Sequence, residues 1–198
     1  MGTNYPHVFE PIRIRGVQFK NRLEMAPPSP NLASRDWKVT KEFVDFFRPF
    51  AGGGVGIIHV GNSIIDITES SDEERQLDLG SDGCILPLTR FVEMCHGYGC
   101  QPSLEINHGG KDSMRQKTGK PAYAPSSYVS SRELYYAESL GEKPVPTIEM
   151  SKEKMRETVE KYAMAAYRCK RAGFKMCMIH GGHGNLISQF SSPLYNFR

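Results

Sequence analysis

Four short runs along the chain are apolar nearly throughout rather than alternating: Leu23–Ala26, Gly56–Val60, Pro102–Ile106 and Lys175–His180. A strand with one wet face alternates, whereas a continuous apolar run fits a strand covered on both faces, as in a parallel sheet. Between the runs the apolar spacing changes to three and four. Thr40 is placed to cap a helix reaching about Ala51, with Phe43, Phe46, Phe47 and Phe50 on one side. Leu88, Phe91, Val92 and Cys95 give helical spacing to Leu86–Tyr98. Ser151 reads as the N-cap of a helix running to about Arg171, and Gly173 follows as a stop signal.

Strand and helix therefore alternate, which predicts βαβ units with right-handed crossovers. The four strands should be parallel, in sequential order, with the first three helices on one face. Before the first strand, Ile12–Phe19 reads as a hairpin turning near Gly16. Between the third strand and its helix lies an insertion over about 108–150, rich in Pro, Ser and Tyr. A connection this long inside a compact domain is usually functional or a small subdomain. Four units leave two architectures open on topology alone: half of a (β/α)8 barrel, or a doubly wound sheet.

Composition narrows the function. With 39% hydrophobic and 24% charged residues, the 198-residue chain has the makeup of a globular protein, not a disordered one. A net charge of +3 gives no basic surface for nucleic acid, and the basic run Lys111–Lys120 is interrupted by polar residues. No apolar stretch has the roughly 20 residues that cross a bilayer. The opening MGTNYPHVFEP lacks the apolar core of a secretory signal, and Met1-Gly2-Thr3 is a poor acylation start. Five cysteines without a CxxC pair suit free thiols, so a cytoplasmic protein is expected.

In either architecture function gathers where strands end. There the chain carries Ala26-Pro27-Pro28-Ser29-Pro30, then Gly61-Asn62, then Glu105-Ile106-Asn107-His108-Gly109-Gly110, and finally His180-Gly181-Gly182-His183-Gly184-Asn185. Two histidines three apart among glycines suit close approach to a flat ligand, with imidazoles donating to a carbonyl or phenolate oxygen. Spacing alone does not separate this from a glycine-rich turn with solvated histidines. A metal site would need a third ligand, for which His108 is the obvious candidate; no metal is expected.

Taken in order, the opening FEPIRIRGVQFKNRLEMAP, then APPS, EINHGG, AGF, HGGHG and QFSSPLYNFR, resemble the Old Yellow Enzyme and 2,4-dienoyl-CoA reductase group of NADH:flavin oxidoreductases. The likeness covers nearly the whole chain. It implies an α/β fold of the (β/α)8 TIM-barrel type, here running through the fourth strand as a half-barrel. It also implies FMN, with NADH or NADPH as reductant and an activated alkene, an enone or enoyl compound, as the small-molecule substrate. By this resemblance Ala26, Pro27, Pro28 and Ser29 run along the flavin, with Ser29 near its reactive edge. Gly61 contacts the ring through its backbone, Glu105 meets the pyrimidine end, and His180 with His183 grips the substrate oxygen.

Two departures stand out. Asn185 occupies the position where the group usually has a proton-donating Tyr, and Glu105 stands where Gln is common. The group's phosphate site lies on strands beyond residue 198, so the chain alone is expected to hold flavin weakly. An open sheet edge implies self-association or a partner chain completing the barrel. A competing reading is a flavin or aromatic-ligand binding fragment without turnover.

Overall fold

A computed structural model describes residues 4–198; the opening Met1-Gly2-Thr3 lies outside the described residues. The chain begins with a short helix, α1 (Pro6–Phe9), and a hairpin of β1 (Ile12–Ile14) and β2 (Val17–Phe19). Arg15 and Gly16 both have positive φ, 46° and 84°, which is the two-residue turn whose twist matches paired strands. The hairpin sits at the amino end of the main sheet, where Lys20 Nζ donates to the Tyr98 carbonyl at 2.8 Å.

The main sheet consists of β3 (Glu24–Met25), β4 (Ile57–Ile64), β5 (Gln101–Asn107) and β8 (Cys177–Ile179), all parallel and in sequential order. Three helices cover one face: α2 (Lys41–Gly52), α3 (Ile85–Gly97) and α6 (Lys152–Arg171). The caps are those the sequence suggested. Thr40 accepts from the Phe43 N–H and Ser151 from the Lys154 N–H, while Gly173, at φ 103°, follows the last turn of α6.

The core lies between this sheet face and the helices. Ile58, Val60, Leu104 and Ile106 meet Phe43, Phe47, Phe91, Cys95, Ala165 and Cys169. Phe91 packs edge-on against Phe43 and Phe47, with centroids 5.5 and 5.4 Å apart. Burying each ring contributes about 1.5–3 kcal/mol. Phe46 and Phe50, expected on the buried side, are about 40% exposed, because the buried stripe of α2 runs through Phe43, Phe47 and Ala51 and leaves these two at its edge.

The strands differ from expectation at their ends. β4 continues four residues beyond Val60 through a bulge, at which Asn62 takes φ 56°. β3 and β8 are shorter than their apolar runs.

The insertion holds α4 (Arg115–Thr118), α5 (Ser131–Leu140) and the two-residue parallel pair β6 (Tyr123–Ala124) and β7 (Ile148–Glu149). After β8 comes α7 (Leu186–Phe190). Together with α6 it borders an apolar groove of about 460 Å³, lined by Met155, Val159, Ile179 and Phe190 among others. No helix among the described residues is long and apolar enough to cross a membrane.

Candidate functional site

The carboxyl ends of β3, β4, β5 and β8 converge on an open cleft of about 320 Å³. Its lining includes Pro27 and Ser29 after β3, Asn62 on β4, Glu105 on β5, and His180, His183 and Asn185 after β8. Asp72, Glu73, Asp112 and Arg132 complete the polar rim.

Glu105 and His180 face each other because β5 and β8 are neighbours in register, Glu105 lying opposite Met178. Leu104 and Ile106 point into the helix-side core, so Glu105 between them points to the other face, by the two-residue period of a strand. His180 Nδ1 lies 2.5 Å from Glu105 Oε1, and both side chains are buried. His180 Nε2 is 3.2 Å from His183 Nδ1, with the two ring centroids 5.0 Å apart. His183 has φ 56°, a left-handed conformation uncommon without glycine, and it turns an exposed ring back over the buried His180.

On the opposite wall Gly61 donates its N–H to the Pro28 carbonyl at 2.8 Å, so that donor is already used within the protein. Ala26 is exposed, while Pro27, Pro28 and Ser29 are half-buried. The Ser29 hydroxyl donates to Glu73. Behind the wall, Gln76 acts as a clamp. Its Oε1 accepts from the N–H groups of Asp72 and Glu73, both at 3.0 Å, and its Nε2 donates to Asp72 Oδ1 at 2.5 Å. Burial raises the Asp72 carboxyl above the ordinary carboxylate range, against hydrogen bonds from Gln76 and Asn62 that lower it.

The structure thus brings Pro27, Ser29, Glu105, His180 and His183 to one cleft, with Gly61 and Pro28 in the wall behind it. His108 is elsewhere. It is fully buried, and its Nδ1 accepts from the Gly110 N–H at 2.9 Å. No group of three or more His, Cys, Asp or Glu side chains that could hold a metal occurs among the described residues. Asp72, Glu73, Asp112 and Arg132 were not singled out in the sequence, and Asn62 was named there only as a strand-end residue. Asp72 and Glu73 sit in the run Glu69–Arg75, whose charge reads as a solvated loop; the apolar Leu77 and Leu79 beyond it were the one hint that it folds inward. Tyr123, Tyr128, Tyr135 and Tyr136 of the insertion do not line the cleft; Tyr128 stacks on Tyr195 instead.

A prolyl wall that lacks N–H groups, edged by Ser29, Asn62 and Glu105, suits a flat heteroaromatic ring with polar edges. Comparison with known proteins gives the family. The family model described as NADH:flavin oxidoreductase / NADH oxidase matches residues 7–198. The NADH oxidase of Thermoanaerobacter brockii is 32% identical over 197 residues, covering 99% of this chain and 29% of that protein. The NADPH dehydrogenase of Bacillus subtilis is 31% identical over 192 residues, covering 96% of this chain and 53% of that protein. The crystal structure of Old Yellow Enzyme from Pichia sp. AKU4542 superposes with a TM-score of 0.86 at 23% identity, covering 97% of this chain and 50% of that one. The chain therefore spans between about a quarter and about half of the relatives it matches, and its sheet is the corresponding half of their barrel. On the match of residues 7–198, the chain belongs to the NADH:flavin oxidoreductase / NADH oxidase family, the Old Yellow Enzyme group, whose cofactor is FMN and whose reductant is NADH or NADPH.

Proposed function

We propose that this cleft takes part in the reduction of an activated carbon–carbon double bond, with electrons that originate on NADH or NADPH. The observation that carries the reading is the pair His180 and His183, 3.2 Å apart at the mouth of the cleft. The ring nitrogen that these contacts leave free, Nε2 of His183, can hold a carbonyl oxygen and stabilise the negative charge that grows on it when the conjugated alkene accepts hydride.

FMN, when bound, supplies the hydride. Pro27 and Pro28 would provide a flat wall for its ring, Ser29 and Asn62 polar contacts at its edge, and Glu105 a second acceptor oxygen beside the one that faces His180. Gly61 keeps this wall close, since a side chain there would strike Pro27 and Pro28. His183 would meet the substrate oxygen, and His180 would hold the His183 ring in place. The alkene is an enone or enoyl compound, the class of acceptor that such an oxygen grip polarises.

The test is direct. Protein held in excess FMN is examined by difference absorption against FMN alone, reduced anaerobically with NADH or NADPH, and then mixed with 2-cyclohexenone. Bleaching followed by enone-dependent return of colour supports the proposal. Failure of either nicotinamide to bleach bound flavin overturns it. Asn185, which lacks an acidic hydroxyl, favours a second reading as a ligand-binding protein, and bleaching that no enone reverses is its signature.

A further inference from the structure

The alkene reduction proposed above needs one proton per turnover, and Asn185 has no ionisable hydrogen to give. The cleft nevertheless contains a continuous line of proton-carrying groups, running from Glu105 Oε1 to His180 Nδ1 at 2.5 Å, and from His180 Nε2 to His183 Nδ1 at 3.2 Å. We propose that Glu105, His180 and His183 form a proton relay that delivers its proton from His183 Nε2 to the reduced substrate, with Glu105 as the positioning residue. This rests on the reading of the cleft as an alkene-reducing site.

The contacts fix where the hydrogens must be. A carboxylate can only accept, so His180 carries hydrogen on Nδ1. In the unloaded relay His180 Nε2 is then a bare acceptor, and His183 must donate to it from Nδ1. That leaves His183 Nε2 bare. Add one proton and the pattern reverses: His180 Nε2 donates, His183 Nδ1 accepts, and His183 Nε2 carries a hydrogen it can give away. The line of three thus holds one transferable proton.

Delivery balances. The bond between His183 Nε2 and its hydrogen breaks, with the electron pair staying on the ring. The electron pair left on the substrate by hydride addition takes that hydrogen. At the same time His180 Nε2 passes its hydrogen to His183 Nδ1, and the relay returns to its unloaded form with one proton lost. Water reloads it, because His183 is exposed. Glu105 contributes by position: its Oε1 faces His180 Nδ1 and holds the buried ring with Nε2 toward His183.

Other charged groups face the same cleft. Asp72 and Glu73 come from the loop after β4, Asp112 from the turn after β5, and Arg132 from α5. None has a hydrogen bond to either ring, so the relay ends at Glu105 on one side and at the cleft on the other.

The experiment observes the ring nitrogens themselves. In the 198-residue chain labelled with ¹⁵N-histidine, long-range ¹H–¹⁵N correlation spectra at high pH report which nitrogen of each ring carries hydrogen. The relay requires hydrogen on Nδ1 of both His180 and His183. In Glu105→Leu the constraint is gone, and His180 should leave the pure Nδ1–H form. Hydrogen on Nε2 of wild-type His180 overturns the relay, whether or not the variant folds, and so does an unchanged His180 signal in a folded Glu105→Leu. In FMN-loaded protein, reoxidation by 2-cyclohexenone should vary with the deuterium fraction of the solvent along a curve, because two N–H bonds change together. A linear dependence overturns the relay. If the rings are as required and no enone reoxidises the flavin, the proposed reaction fails while the relay geometry stands.

Discussion

Gly61 lies against Pro28 so closely that a Cβ added to it would stand 2.8 Å from the Pro28 carbonyl carbon and 2.6 Å from the Pro27 oxygen. Both neighbours are backbone and cannot swing aside. Gly61→Ala is therefore expected to push the wall of the cleft outward and to destabilise the fold by about 1–3 kcal/mol. Urea denaturation gives the stability, and FMN titration of the same variant gives the effect on the wall. Equal stability and equal flavin affinity would show that the wall moves freely.

Glu69 ties the loop after β4 to α6. Lys154 donates to its two oxygens at 2.9 and 2.7 Å, and Lys161 also reaches it while pairing with Asp66 at 2.7 Å. Burial alone would raise the Asp66 carboxyl, yet the hydrogen bonds from Lys161 and Thr68 hold it below its ordinary value. Glu69 is only 6% exposed. Removing it takes the buried acceptor from both ammonium groups and leaves them Glu157, with Asp66 for Lys161, so Glu69→Ala is expected to cost about 1.5–3 kcal/mol in denaturant unfolding. A loss under about 0.5 kcal/mol would place the network among exposed pairs of little consequence.

Acid should expose His108. Burial pushes its imidazole down to about 4, against an ordinary value near 6.5. The folded protein keeps this ring neutral while the unfolded chain protonates it, so the group's contribution is present above about pH 6.5 and is lost as pH falls to about 4. At about 1.4 kcal/mol per unit the loss reaches about 3 kcal/mol. Denaturation at pH 7 and pH 4 should show the wild type losing that much more than His108→Asn, which keeps an acceptor near the Gly110 N–H. Parallel losses in the two proteins would contradict the assignment.

The oxygen grip is measurable apart from turnover. In FMN-loaded protein, His180→Ala or His183→Ala should weaken binding of 4-hydroxybenzaldehyde by about 1.5–3 kcal/mol, the worth of a hydrogen bond to a charged oxygen. Isothermal titration calorimetry reads this directly. Unchanged affinity in both single variants would remove the histidines from substrate binding.

Much of this architecture was legible in the chain. Continuous apolar runs marked the strands, and Thr40, Ser151 and Gly173 marked helix ends, because caps depend on local chemistry. Ends governed by tertiary contact were not. β4 was expected to stop at Val60, with Gly61-Asn62 beyond its end, yet pairing with β5 carries it to Ile64. Likewise His180 and His183 announced themselves by their glycine-rich setting, whereas the Glu105–His180 contact depends on strand order and register, which only the folded sheet displays. Arg132 reaches the cleft from a helix inside the insertion, a placement no local pattern encodes.

The bulge in β4 divides that strand into two phases. Between Val60 and Ser63 the strand advances three residues while β5 advances two, from Leu104 to Ile106. Ile58 and Val60 belong to the helix-side core, and beyond the bulge it is Ile65, not Ile64, that rejoins it. The extra residue leaves Asn62 turned toward the cleft. Straightening the bulge with that residue kept in the strand would restore strict alternation, and every side chain downstream would change faces. Ile64 would turn to the helices and Ile65 to the polar bay. The strand therefore works like a text with one frameshift written into it: the polar half of the molecule and its greasy half are kept apart by a single residue, and no change of side chain can substitute for that change of count.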